Sequence, residues 1–142
     1  MLWIGIKGSL IAGFIYGLIA LFIAAYVRRH RAKPFIGKYK MFEGETPSGG
    51  PVSVEYHWWK NLIGRTPVLK VVAKHRDGTE DWRGTIEVTG LDEIASGIYR
   101  HLGHREVGTL RFARSDSTND ITEYGTPYDP TLPQFIRILQ RM

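Results

Sequence analysis

From Gly8 to Val27 the chain runs twenty residues, GSLIAGFIYGLIALFIAAYV, without a charged side chain. A helix rises about 1.5 Å per residue, so such a run reaches about 30 Å, the hydrocarbon thickness of a bilayer. A cleaved signal has a shorter apolar run, roughly 7–15 residues, before a small-residue cleavage site. This run instead ends in Arg28-Arg29-His30-Arg31-Ala32-Lys33, a basic block that resists translocation. A core helix would have to be wrapped by the remainder, which is small and strand-like in pattern. The sequence therefore predicts a retained single-pass transmembrane helix.

The flanks orient it. Lys7 stands before the run, and Arg28, Arg29, Arg31 and Lys33 stand after it. By the positive-inside rule the C-terminal part is expected in the cytoplasm, with the helix in the cell inner membrane. Trp3 and Tyr26 fall where an aromatic belt belongs. Gly5, Ser9, Gly13 and Gly17 recur at every fourth position and predict a face along which two backbones approach closely. Membrane lipid and further copies of the same chain are the partners this implies, with Gly5, Ser9, Gly13 and Gly17 as the membrane oligomerisation face.

A pI near 9.6 invites a nucleic-acid reading, but the charge divides unevenly. Residues 1–34 hold five Lys/Arg and no acid, whereas residues 35–142 hold fourteen of each sign. The soluble part is neutral, which argues against duplex nucleic acid as a partner. The absence of cysteine removes disulfide scaffolds, thiolate metal sites and a cysteine nucleophile. Lys33-Pro34 reads as a linker, dividing residues 1–34, the helix with its basic flank, from residues 35–142, a ligand-binding β-domain.

Beyond Phe35 the period shortens to two. Eight strands are expected: Ile36–Glu43, Val52–Trp59, Val68–His75, Asp81–Thr89, Ala95–Leu102, Glu106–Arg114, Asp120–Gly125 and Pro133–Arg141, separated by Gly, Pro, Asp and Asn turns. In the second, Val52, Val54, Tyr56 and Trp58 face one way and Ser53, Glu55, His57 and Trp59 the other. Leu91–Ser96 and Leu132–Leu139 have room for a helical turn. Eight short sequential strands are most economically closed as an antiparallel up-and-down barrel, which removes exposed edges. The fold class is thus a single transmembrane helix plus a compact all-β eight-stranded barrel.

Motifs for catalysis are lacking: there is no phosphate loop, HExxH or nucleophile elbow, so no enzyme, cofactor or metal is expected. His101 and His104 are three apart at a strand end, which suits surface histidines better than ligands. Asp77, Glu80, Asp81 and Glu87 read as a solvated acidic hairpin. More informative are mixed groups of rings and cations. Tyr56, Trp58 and Trp59 form one, next to His57 and Lys60; Tyr99, Arg100, His101 and Arg105 form another, with Arg83 on the preceding strand. Rings offer stacking faces and arginine a planar fork for phosphate oxygens, a combination that fits a small phosphorylated, base-containing ligand. These eight residues are the candidate ligand-binding set.

A glycine-rich membrane helix, a basic flank and an eight-stranded barrel together resemble the transmembrane β-barrel effectors of CBASS antiphage systems. Phe35-Ile36-Gly37-Lys38-Tyr39 is similar to the Gly-x-aromatic opening of lipocalin-like barrels, and Arg137 and Arg141 stand where a terminal arginine packs across that ring. The resemblance implies a barrel that binds a cyclic oligonucleotide, here a cyclic dinucleotide, and an assembly that disrupts the inner membrane. The alternative is a non-enzymatic, membrane-tethered lipocalin-like module for a small apolar ligand or a protein partner. It predicts an interior of Leu69, Val71, Ile86, Leu110, Phe112 and Ile138 without arginine. A small hydrolase is the least supported reading.

Overall fold

The structure, a computed structural model, describes residues 2–62, 66–89, 93–103, 106–115 and 119–142, with the side chains of 2–4 and 6 outside that description. Trp3, expected at an aromatic belt, is among the latter. The apolar run forms one helix, α1 (Leu2–Ala32), which continues unbroken through the basic flank. Its apolar side chains are uncovered: Leu10, Phe14, Tyr16 and Phe22 are each more than half exposed. It is thus no core helix of this fold. A helix apolar on every face suits hydrocarbon rather than water, and this one is long and apolar enough to cross a bilayer.

The β-domain is a closed eight-stranded antiparallel barrel. Its strands are β1 (Gly37–Glu43), a stub β2 (Thr46–Pro47), β3 (Val52–Tyr56), β4 (Val68–Lys74), β5 (Glu80–Thr89), β6 (Ile94–His101), β7 (Val107–Arg114), β8 (Ile121–Pro127) and β9 (Phe135–Arg141). β1 pairs with β3, each later strand pairs with the next in sequence, and β9 returns to β1 through Tyr39↔Arg141 and Met41↔Leu139. The stub β2 pairs with β1 on the same side as β3, so the two make one interrupted second strand.

Alternation sets the faces. Along β4, Leu69, Val71 and Ala73 are buried and Lys70 and Lys74 exposed; along β5, Trp82, Ile86 and Val88 are buried and Arg83 and Glu87 exposed. The interior is filled by large side chains, among them Trp82, Tyr39, Tyr99, Phe35 and Phe112. An eight-stranded barrel has just the width that side chains fill.

Several expectations need correction. Trp58 and Trp59 are not in a strand: β3 ends at Tyr56, and residues Trp58–Asn61 form a helical turn, α2. The cause is Asn61, fully buried, whose carboxamide donates to the Val68 carbonyl at 2.8 Å and accepts from the Val68 N–H at 2.8 Å. A side chain thus supplies the bonds that a continued β3 would have made, and the His57 ring caps the turn by accepting from Lys60 N–H.

Ile138, expected inside, is on the outer face, and the inward position beside it is held by Arg137, so the interior is not free of arginine. Here β9 carries Ile136 and Ile138 outward and Arg137 inward, the reverse of the usual parity, and apolar patterning picks the wrong face. Nor does Leu132–Leu139 turn helical; strand begins at Phe135.

Lys33-Pro34 is no loose linker. Lys33–Phe35 is a 3₁₀ turn, with Ala32 and Phe35 fully buried in the barrel core. The Arg141 guanidinium donates to the Pro34 carbonyl at 2.8 Å and to the Tyr39 hydroxyl at 3.1 Å, and lies 5.5 Å over the Tyr39 ring. Tyr39 in turn donates to the Phe35 carbonyl at 2.7 Å. Burial pushes the Tyr39 hydroxyl pKa up, and Arg141 opposes that shift. Arg141, Tyr39 and the Pro34 and Phe35 carbonyls thus tie the helix end to the barrel.

Candidate anion-binding site on the outer barrel wall

Strand pairing brings cations together on the outside of β4, β5 and β6. Arg83 and Arg100 are directly opposed partners in the β5–β6 ladder, and Lys70 faces Thr85 one outward position along. Like charges directly opposite each other in a sheet are destabilising on their own. Part of that repulsion is relieved by Glu80, whose carboxylate accepts from Arg83 Nε at 2.8 Å and from its Nη2. Lys70, Lys60 and Arg100 have no ion pair among the described residues. With His57 from the cap of α2, these side chains line a concavity of about 530 Å³, with Gly84 and Tyr99 contributing to its floor.

A second outer concavity, about 860 Å³, adjoins the first at Ile98 and extends over β7, β8 and β9. In it the Arg111 guanidinium lies 4.6 Å over the Tyr124 ring. The wall dips here because Gly97 and Gly125 let neighbouring groups approach where a Cβ would stand. Cations in one hollow and an arginine-stacked ring in the next give one wall both phosphate-binding and base-stacking chemistry.

The sequence-predicted residues separate into three places. Arg83, Arg100 and Tyr99 meet at the first concavity, although Tyr99 is buried and contributes no free hydroxyl. Its O–H donates to the Glu106 carboxylate at 2.8 Å, and burial, reinforced by that carboxylate, holds its pKa well above the usual phenol range. His101 sits beyond it at the barrel end farther from α1, 3.1 Å from Asp81 and 3.8 Å from Glu106, with His75 also 3.5 Å from Asp81. Asp81 and Glu80 are thus tied to cationic or imidazole partners rather than forming a purely solvated acidic hairpin. No metal-holding group of His, Asp and Glu occurs among the described residues. Arg105 and His104 lie outside the described residues.

Tyr56, Trp58 and Trp59 are at the opposite end, beside the helix. Tyr56 donates to the Ala25 carbonyl at 2.5 Å and meets Trp58 edge to face at 4.9 Å, while Trp59 is 82% exposed. Gly5, Ser9, Gly13 and Gly17 all lie on exposed stretches of α1, and a Cβ on any of the three glycines would meet nothing within 4 Å.

Comparison with protein-family models, with curated proteins and with solved structures returns no match. The site therefore rests on its geometry. Lys70, Arg111 and Tyr124 were not singled out in the sequence. The signal for them is parity: once β4–β8 are paired in register, Lys70, Arg83, Arg100 and Arg111 all fall on outward positions, on three different rungs of the ladder, a grouping that no single segment displays.

Proposed function

We propose that this chain is a single-pass membrane protein whose cytoplasmic barrel is a non-enzymatic receptor for a cyclic oligonucleotide, and that binding drives assembly and disruption of the inner membrane. This is the mode of the CBASS transmembrane β-barrel effectors that the chain resembles. The observation that carries the reading is the opposed Arg83–Arg100 pair with Lys70 and Lys60 around one hollow. An arrangement of like charges that costs stability when empty is favoured by a ligand that brings negative charge. The large side chains buried in the barrel, Trp82, Tyr39, Tyr99 and Phe112 among them, favour a site on the outer wall over an apolar ligand carried inside the barrel.

Coupling to the membrane follows from the hydrogen-bonded 3₁₀ turn, because a barrel tied to the helix end through Arg141, Tyr39 and Pro34 carries its orientation into α1. Any such switch requires the ligand to bind the assembled state better than the free one. Small residues on α1 then allow helices of neighbouring copies to approach. The test is full-length protein in dye-loaded vesicles, challenged with a panel of cyclic di- and trinucleotides. One of them is expected to release the dye and raise the assembly mass in detergent. If the panel causes neither release nor a mass change, the reading fails.

A further inference from the structure

We infer that the barrel does not hang free of its anchor but is seated on the bilayer surface by α2, with Trp58 and Trp59 in the interface and anionic headgroups in a cleft at the helix–barrel junction; this rests on the reading of α1 as a membrane span. Two bonds fix the depth of α2. Tyr56, two residues before it, donates to the Ala25 carbonyl, and the Arg28 guanidinium donates to the Asn61 carbonyl at its end. The turn therefore lies beside residues 25–28 of α1, where the uncharged run gives way to the basic flank.

At that level Trp59 is 82% and Trp58 44% exposed, and Tyr26 on the helix itself is 63% exposed. Three uncovered rings at one depth are costly in water, whereas amphipathic rings are favoured at the headgroup boundary. Farther along the helix, His30 and Lys33 line a cleft of about 400 Å³ with Arg114, Asn119 and Arg141. Residue 33 is about 7 Å beyond residue 28 at the helical rise, so rings and cations are layered as acyl boundary and phosphates are. All of this lies at one end of the barrel. β4 starts at Val68, bonded to Asn61, and runs away from the membrane to the β4–β5 hairpin about 20 Å off.

The chain has no cysteine, so single cysteines can report depth. Nitroxide labels at Ile15→Cys, Lys60→Cys and Thr79→Cys are read in full-length protein in phosphatidylcholine vesicles containing phosphatidylglycerol, by collision with oxygen and with an aqueous nickel complex. Ile15 is expected deep, Thr79 in water and Lys60 between them. Adding Trp58→Ala and Trp59→Ala, or omitting phosphatidylglycerol, is expected to raise nickel collision at Lys60 several-fold. A Lys60 label as wet as Thr79 while Ile15 stays deep overturns the seating and leaves the anchor standing. A wet Ile15 label overturns the anchor reading and the seating with it. A Lys60 label unmoved by loss of both tryptophans and of anionic lipid overturns the roles given to the rings and the cleft.

Discussion

Replacing Arg137 with methionine is expected to destabilise the barrel by about 3–5 kcal/mol at about pH 8, and by clearly less at about pH 5. The difference comes from Glu123. Its carboxyl is fully buried with no hydrogen bond to either oxygen, and its nearest cation is Arg137 Nη1 at 3.9 Å. Burial pushes its pKa up to about 7 from 4.5, against the pull of Arg137 and with a small push from Glu43. In the folded state this acid keeps its proton to higher pH than in the unfolded chain. Its contribution to stability is therefore complete below the unfolded pKa and is lost as the pH rises through the folded one. Without Arg137 the carboxyl is ionised at high pH in an apolar barrel with no partner, or must stay protonated at a cost. At low pH it is neutral in either case. Unfolding of the full-length variant, followed across that range by near-UV circular dichroism, checks the prediction. Glu123→Gln cannot ionise, so its stability is expected to stay flat over the same pH interval, where the wild type loses about 3 kcal/mol.

Gly97→Val is expected to abolish the folded barrel altogether. Gly97 pairs with Ile86 on one side and Leu110 on the other. A Cβ there would fall far inside the van der Waals contact distance of the Thr85 carbonyl oxygen and stand 2.8 Å from Ile86 Cα. Both neighbours are backbone and cannot rotate aside, so β5 and β6 would have to part in the middle of the ladder. Losses above about 4–5 kcal/mol are exceptional for one residue and belong to clashes of this kind. The near-UV signal of the Trp82–Tyr99 pair, whose rings lie 6.1 Å apart, should vanish while the helical signal of α1 persists in detergent. Gly103→Ala, where a Cβ meets nothing within 4 Å, is the neutral control.

Both residues show where the sequence could and could not be read. Strand positions were legible because exposed and buried side chains alternate with a period of two, and turn residues punctuate each return. Eight strands and the closed barrel follow from that signal, and the apolar helix from the uncharged run Gly8–Val27. What failed to show were features that depend on a partner far away in the chain. Tyr56-His57-Trp58-Trp59 is made of strand-forming residues, and only the bond from Asn61 to Val68 reveals that the strand has ended. Arg137 looks like a surface residue until Glu123, on the neighbouring strand, is seen to face it. The cationic wall was half legible: Arg83 and Arg100 were picked from local ring-and-cation groups, but their opposition and the addition of Lys70 required the register.

The central claim is that this wall takes a cyclic oligonucleotide, and calorimetry on the full-length protein in lipid nanodiscs measures it most directly. One member of a panel of cyclic di- and trinucleotides is expected to bind, and reversing Arg83 and Arg100 together to glutamate is expected to weaken it by at least about tenfold, or about 1.4 kcal/mol. No binding by any member of the panel, or binding left intact by the double reversal, would contradict the account.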